Sequence, residues 1–296
     1  MKEPPRISSG ALLVLIAATL WSTNGVAIKY VDAGPVLIAA VRALVAGLVT
    51  LPFLRFRELK PSWPLAGLLF SYSLMSWSFV SATKLTAAAN AISLQYTAPL
   101  WIFAAGLVMG SVRLSGRRAA PMALVLFGII AFLMEPVQGT SFTGNVLGIV
   151  SGIGFALVTV FYRALRDTHN LTLVSATNLC AAIVLFPLIG EWSEFGSLAV
   201  ADWGALFYLG AFQMGSGYIF YSLGLKRISS LRAATIALLE PVLNPIWVVL
   251  FIGEVPTVYG IFGALLILTG VLADTRLNKE VEGMRDKNPA PGPEQD

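Results

Sequence analysis

The chain has 296 residues, of which 56% are apolar and only 12% charged. Soluble domains carry about 25% charged residues, and a chain of this size cannot hide the deficit in a larger core because its surface must still be wetted. A soluble enzyme is thereby excluded. The net charge of +4 sits in short loops, so it is a topology signal with a weak attraction to anionic lipid heads, and no nucleic-acid partner is expected.

In chain order, the apolar runs predict spans at 10–30, 35–55, 63–84, 86–110, 118–135, 144–165, 170–190, 202–225, 230–252 and 256–275. Lys2 and Arg6 before the run from Ala11 have the outline of a signal peptide, but the run reaches Tyr30 and carries Trp21 and Asn24. That is long enough for a span, which needs about 20 residues, so it is the first helix, uncleaved. Pro35, Pro61, Pro64, Pro136 and Pro256 stand near starts or stops, where proline disturbs a helix least. Continuous apolar runs exclude a β-barrel, whose strands alternate, and leave the helix as the spanning element. The segment 276–296, rich in Lys, Glu, Pro and Gly, is expected to be a flexible cytoplasmic tail.

With both ends inside, all of the 20 Lys and Arg residues except Lys29, Arg42 and Lys84 fall on one side. The positive-inside rule makes that side the cytoplasm. The expectation is a multi-pass protein of a bacterial inner-membrane type, with cytoplasmic N- and C-termini. Cys180 and His169 stand alone, which leaves no disulfide, no metal site and no cofactor to expect. No phosphate-binding GxxxxGK[ST] loop, HExxH or GxSxG is present.

The chain also repeats. A shift of 142 positions lays Lys84 over Lys226, Ala91 over Ala233 and Pro99 over Pro241. The same register lays Leu124 over Leu266, Leu126 over Leu268, Gly128 over Gly270 and Ala131 over Ala273. Chance coincidence among helices rich in Ala, Leu and Gly is the alternative. Five helices per copy is odd, so the second copy enters from the opposite side, as in secondary transporters with inverted repeats. The fold expected is an all-α integral membrane protein of ten transmembrane helices, with repeats at 10–135 and 144–275.

The second half reads Gly224-Leu-Lys-Arg-Ile-Ser-Ser, Leu238-Leu-Glu-Pro-Val, Gly253-Glu254-Val-Pro-Thr and Gly263-Ala-Leu-Leu-Ile-Leu-Thr-Gly270-Val. It resembles the second repeat of the EamA family in the drug/metabolite transporter superfamily. The first half departs from the pattern, with Ser111-Val112 in place of Gly253-Glu254 and Pro121 in place of Gly263. The resemblance implies ten helices in two five-helix repeats and export of small organic solutes. It does not name the solute, because the matched motifs are scaffold.

Glu240 lies ten residues after Ser230, about 15 Å along a helix and so near the centre of a hydrocarbon layer about 30 Å thick. A carboxylate there is costly and is a functional candidate, suited to coupling a proton. Arg232, Glu240 and Asn244 share one stripe. The competing role for Glu240 is a scaffold bond beside Pro241. Arg42, roughly 10 Å into the second helix, is a candidate for pairing with a substrate carboxylate, against a structural pairing or a snorkelling position.

Polar and aromatic residues recur at Trp21 and Asn24, at Tyr72, Ser76 and Trp77, at Asn90, Thr97 and Trp101, and at Gln213, Tyr218 and Tyr221. Singly, such residues glue helices together or anchor span ends. As a set on both repeats they predict a pocket for an organic solute. The substrate-binding candidates are Trp21, Asn24, Arg42, Trp77, Asn90, Thr97, Trp101, Gln213, Tyr218 and Asn244. The function expected is a secondary transporter, an exporter of amino acids or related metabolites working by alternating access. The partners are the solute, the bilayer and protons as candidate coupling ion; the oligomeric state is open. An integral membrane enzyme acting on lipids, or a non-transporting scaffold, is the rival. The rival enzyme lacks the necessary cluster of acids, bases or metal ligands.

Overall fold

The structure, a computed structural model, describes residues 9–110, 115–134, 141–228 and 230–287. Regular structure among the described residues is helical. In order come α1 (Ser9–Ser22), α2 (Asn24–Tyr30), α3 (Pro35–Thr50), α4 (Trp63–Leu85), α5 (Ala88–Gln95), α6 (Ala98–Val108), α7 (Gly116–Leu133) and α8 (Ser141–Ala164). Then come α9 (Asn170–Leu185), the short α10 (Glu194–Ser197), α11 (Val200–Phe207), a π-helical segment (Tyr208–Ser216), α12 (Gly217–Leu225), α13 (Ser230–Ala237), α14 (Leu239–Ile252) and α15 (Val258–Lys287). Among the described residues, eight stretches are long and apolar enough to cross a membrane. Ala119–Leu133 is a shorter apolar helix, and Val200–Leu225 is helical end to end.

Each expected span is mainly helical where described, but four are irregular, three of them by a break. The first breaks at Thr23, between α1 and α2. There the Ser22 and Thr23 hydroxyls donate to the carbonyls of Thr19 and Leu20, both at 2.7 Å, and such back-bonding competes with the helical ladder. The fourth breaks at Tyr96–Thr97, between α5 and α6, and the ninth at Leu238, between α13 and α14. Pro99 and Pro241 follow within three residues of each break. Proline has no N–H and its ring crowds the carbonyl four residues back, which frees the carbonyls of Gln95 and Ala237. The eighth span is interrupted by the π segment instead.

The last helix also differs from expectation. It continues through Arg276 and Leu277 to Lys287, where a tail without structure was expected from Arg276. Leu, Lys and Glu are good helix formers, and the first proline after the span is Pro289. Residues 288–296 lie outside the described ones, as does Pro136.

The helices pack in pairs. α1 lies against α12 and the π segment, and α8 against α4. α3 lies against α9 and the π segment, and α9 also against α4. α7 lies against α15, while α8 touches α5 and α6, and α1 touches α13 and α14. Two glycines allow the α7–α15 approach. A Cβ on Gly128 would lie 2.6 Å from Ile267 Cγ1, and one on Gly270 would lie 2.7 Å from Val125 Cγ2. Packing by small residues is how helices associate where lipid removes the hydrophobic drive. The main core fills the middle with Ile28, Leu37, Ile38, Leu68 and Leu209, and a second cluster around Val125, Phe132 and Ile267 seals α7 to α15.

Candidate functional site

Three of the four irregular helices meet at one carboxylate. Glu240 stands two residues past the break at Leu238. Its Oε1 accepts from Asn24 Nδ2 at 3.2 Å, and its Oε2 accepts from the Tyr96 hydroxyl at 2.9 Å. Asn24 is the first residue after the Thr23 break, and Tyr96 is the break residue of the fourth span. Where a helix is interrupted, side chains and backbone point out of the ladder and can meet a partner, as at the binding sites of transporters.

Tyr96 has two acceptors in reach. Besides Glu240 it approaches the Ala237 carbonyl at 3.3 Å, the group that Pro241 leaves without a helical partner. A hydroxyl has one proton to give but can also accept. With Glu240 ionised, Tyr96 donates to it; with Glu240 protonated, Tyr96 can accept from the acid and turn its own proton to Ala237.

Asn244, one turn further along α14, donates to Asn24 Oδ1 at 2.6 Å. Trp247 Nε1 donates to Ser22 at 2.9 Å. The Thr23 and Tyr208 hydroxyls lie 2.8 Å apart, which ties the α1 break to the π segment. Trp21 sits between Tyr218 and Tyr221, each ring centroid at 5.1 Å. Tyr218 lies within electrostatic reach of both Glu240 and Arg42, beside Tyr72. Tyr72 in turn donates to Asn178 Oδ1 at 2.8 Å.

Arg42 is 4% exposed. Its Nη2 donates to Ser76 Oγ at 2.9 Å and approaches the Ser76 carbonyl at 3.4 Å. The guanidinium carbon lies 6.0 Å from the Phe79 ring centroid, and Nε has no hydrogen-bond partner among the described residues. No carboxylate among the described residues pairs with it. Gln213 Oε1, in the π segment, and Asn244 Oδ1 are likewise buried with no such partner.

Of the residues expected from the sequence, the structure gathers Trp21, Asn24, Tyr218, Asn244 and Glu240, with Arg42 within electrostatic reach of Tyr218. It seats Asn90 elsewhere, within 3.4 Å of Thr86 Oγ1 and Asn145 Oδ1. Thr97 and Trp101 bond each other at 3.0 Å and pack on Gly152, where a Cβ would meet Thr97 Oγ1 at 2.5 Å. Trp77 is half-buried against the main core. Arg232, on the expected stripe, is exposed on α13. Tyr96 was missed: on a continuous helix it lies off the face of Asn90, Thr97 and Trp101. The available signal was the repeat itself, since the 142-residue shift lays Tyr96 over Leu238, the other break.

A separate cavity of about 520 Å³ lies between the segment after α3 and the end of α8, with Arg57, Glu58, Lys60 and Asp167 among its lining residues. It shares no residue with this cluster. Beside it, the His169 backbone N–H donates to Glu58 at 3.0 Å. That bond, followed by Arg55, holds the Glu58 carboxyl below its ordinary range.

Residues 8–134 and 142–273 each match the model of the EamA-like transporter family. An uncharacterized transporter of Archaeoglobus fulgidus is 27% identical over 264 residues, covering 89% of this chain and 95% of that one. A probable amino-acid metabolite efflux pump of Escherichia coli is 26% identical over 283 residues, covering 88% of this chain and 92% of the pump. An uncharacterized inner membrane transporter of Salmonella typhimurium is 26% identical over 292 residues, with 89% and 94% covered. One solved crystal structure aligns with a TM-score of 0.61 at 21% identity, covering 93% of this chain and 99% of its own, a likeness of fold alone.

Proposed function

The chain belongs to the EamA-like transporter family and is a multi-pass membrane transporter, and on that premise we propose that it exports small organic solutes, with protonation of Glu240 coupled to their passage. The observation that carries this is the meeting of the Thr23, Tyr96 and Leu238 breaks at one carboxylate. Asn24 and Tyr96 come from the first half of the chain and Glu240 from the second. A group held by both halves changes its bonds when the halves move. The ionisable and charged groups around it are Tyr96, Tyr218 and, within electrostatic reach of Tyr218, Arg42.

Arg42 is the second anchor. A buried guanidinium bonded, among the described residues, only to Ser76 calls for an anion, and a solute carboxylate supplies one. Trp21, Tyr218 and Tyr221 offer aromatic walls for an apolar body, and Gln213 and Asn244 offer acceptors that no described residue fills. Amino acids or related metabolites combine these features, and the relative named as a probable amino-acid metabolite efflux pump points the same way. Asn90, Thr97, Trp101 and Trp77 are assigned to packing.

Two inverted repeats of five spans support alternating access as the mechanism. Exchanging each span for the one five places on maps the pair α1–α12 onto α8–α4, and maps α3 with the π segment onto α9 with α4. The pairs α3–α9 and α7–α15 map onto themselves. Residue by residue, the 142 shift turns the Gly128–Ile267 contact into Gly270–Val125, and turns the break at Tyr96 into the break at Leu238. The charge bias puts Lys29, Lys84 and Glu254 on the outer face and the loops at 55–60 and 165–169 on the cytoplasmic face.

The test is uptake into proteoliposomes of purified protein under an imposed pH gradient, screening amino acids, amines and nucleosides first by thermal stabilisation, since a bound ligand raises stability by mass action. Accumulation of an amino acid that collapses with the gradient is expected. If no such compound stabilises the protein or accumulates, this reading is wrong. Thiols placed at Ser115 and Ser197 in a Cys180→Ala background should label only from the cytoplasmic side and only from outside, respectively. Outside labelling of both would reject the orientation.

A further inference from the structure

Lys29 and Lys84 are the loop-side cations that break the charge bias, and both are engaged in the same place. Lys29 Nζ meets Glu254 Oε2 at 2.7 Å, with the two side chains 17% and 26% exposed. The same ammonium donates to the Thr86 carbonyl at 2.7 Å. The other oxygen of Glu254 accepts from the Ala88 backbone N–H at 2.7 Å, at the first turn of α5. Gly253 makes this reach possible. It closes α14 in the left-handed region at φ 77, which turns the chain so that the next residue points back over the bundle. Lys84 donates to the Val31 carbonyl at 2.9 Å and lies within electrostatic reach of Asp32, Asp202 and Glu194.

Two further contacts join the same end. The Asp32 N–H donates to Asp202 at 3.1 Å, and the Gly34 N–H donates to Glu194 at 2.8 Å. In each case a carboxylate of the second half takes a backbone N–H of the first. Glu254, Asp202 and Glu194 therefore hold α2, the loop after it and α5, at the end of α2 opposite Asn24 and the end of α14 opposite Glu240.

We propose that Lys29, Glu254, Glu194 and Asp202 form a latch that closes the outer end of the solute path and must release in every transport cycle. This rests on reading the Lys29 end as the outer face and the two halves as moving bodies. Charge-assisted bonds of fixed geometry give the latch direction. Partial exposure keeps the pair weak enough to open, a shift of about tenfold in the closed-to-open ratio, or ~1.4 kcal/mol. A fully buried pair would hold one state too firmly to cycle.

The test reads access and needs no known solute. Val248 is 1% exposed, on α14 between Glu240 and Gly253, so Val248→Cys in a Cys180→Ala background reports opening of the outer end. A membrane-impermeant maleimide is added to the Glu254 side of proteoliposomes. Lys29→Met and Glu254→Gln, the latter still able to accept from Ala88, should raise the labelling rate about tenfold, while Lys29→Arg keeps it within twofold. Glu194→Ala, on a short surface helix where folding is not at stake, should raise it as well. Rates equal to the parent in all three disruptive variants would overturn the latch. That result would leave solute binding at Glu240 untouched, just as failure to find a solute would leave the labelling result standing.

Discussion

The Glu240 cluster and the knot of Thr86, Asn90 and Asn145 are both buried and polar, and both draw a side chain from the fourth span. In the knot, Thr86 donates to Asn145 Oδ1 at 2.8 Å and Asn145 donates to the Phe132 carbonyl at 3.0 Å. Its members are neutral amides and hydroxyls, with one charge state and one preferred set of bonds. The same contacts tie the α4–α5 turn to α7 and α8, with Phe132 and Asn145 inside unbroken helices. The Glu240 cluster instead has an ionisable member, donors from two broken spans, and an acceptor on Asn244 that no described residue fills. A buried polar group without a partner costs stability. The cost is tolerated where a ligand or a second conformation supplies the partner. By its ionisable member and its broken spans we read the carboxylate cluster as the proposed machinery, and the knot as scaffold.

The largest effect that separates the two should come from Glu240→Gln. The amide keeps the shape and the acceptor for Tyr96 but cannot ionise. Gradient-driven accumulation should fall about 10–100-fold, the span of a typical coupling energy, while solute exchange without a gradient survives. Unchanged accumulation with an unchanged pH profile would move Glu240 into the same class as Asn145. Next, Asn145→Ala should lower thermal stability by about 1–2 kcal/mol with transport per folded molecule within twofold of the parent. A transport loss larger than the loss of folded protein would erase the distinction.

Tyr96→Phe should be milder, about fivefold on coupled transport, the worth of one hydrogen bond. Because it removes the group that can follow the charge of Glu240, the loss should appear in the steepness of the pH profile and not in melting temperature. The smallest effect belongs to Glu58, a surface control for both clusters. Its carboxyl is held low by the His169 N–H and Arg55, so its contribution is present above the ordinary carboxylate range and fades as pH falls through its folded value. The parent should lose slightly more melting temperature than Glu58→Gln on acidification. Equal losses would show that the contact contributes nothing to stability.

The breaks explain why half of the candidate site was legible in advance. Trp21, Asn24, Asn244 and Glu240 were visible because polar groups deep in an apolar run stand out against their neighbours. Asn90, Thr97 and Trp101 stood out equally, yet the structure spends them on Asn145, on each other and on Gly152. Composition registers that a polar residue is in a helix. It does not register which neighbouring helix faces it. Tyr96 was invisible for the opposite reason: helical phase put it on the wrong face, and only the interruption before Pro99 turns it towards α14.

From the residues alone follow the lipid solvent, the helical spans, the family resemblance and the presence of an acid near mid-membrane. These depend on local hydropathy and on the need to satisfy every backbone group within its own segment. Only the tertiary structure decided that the breaks at Thr23, Tyr96 and Leu238 come together, that Asn24 and Tyr96 are the donors to Glu240, and that Lys29 closes on Glu254. Those outcomes join residues from opposite halves of the chain, and long-range pairing is set by packing and by which freed carbonyl or carboxylate finds a donor, information that no single segment contains.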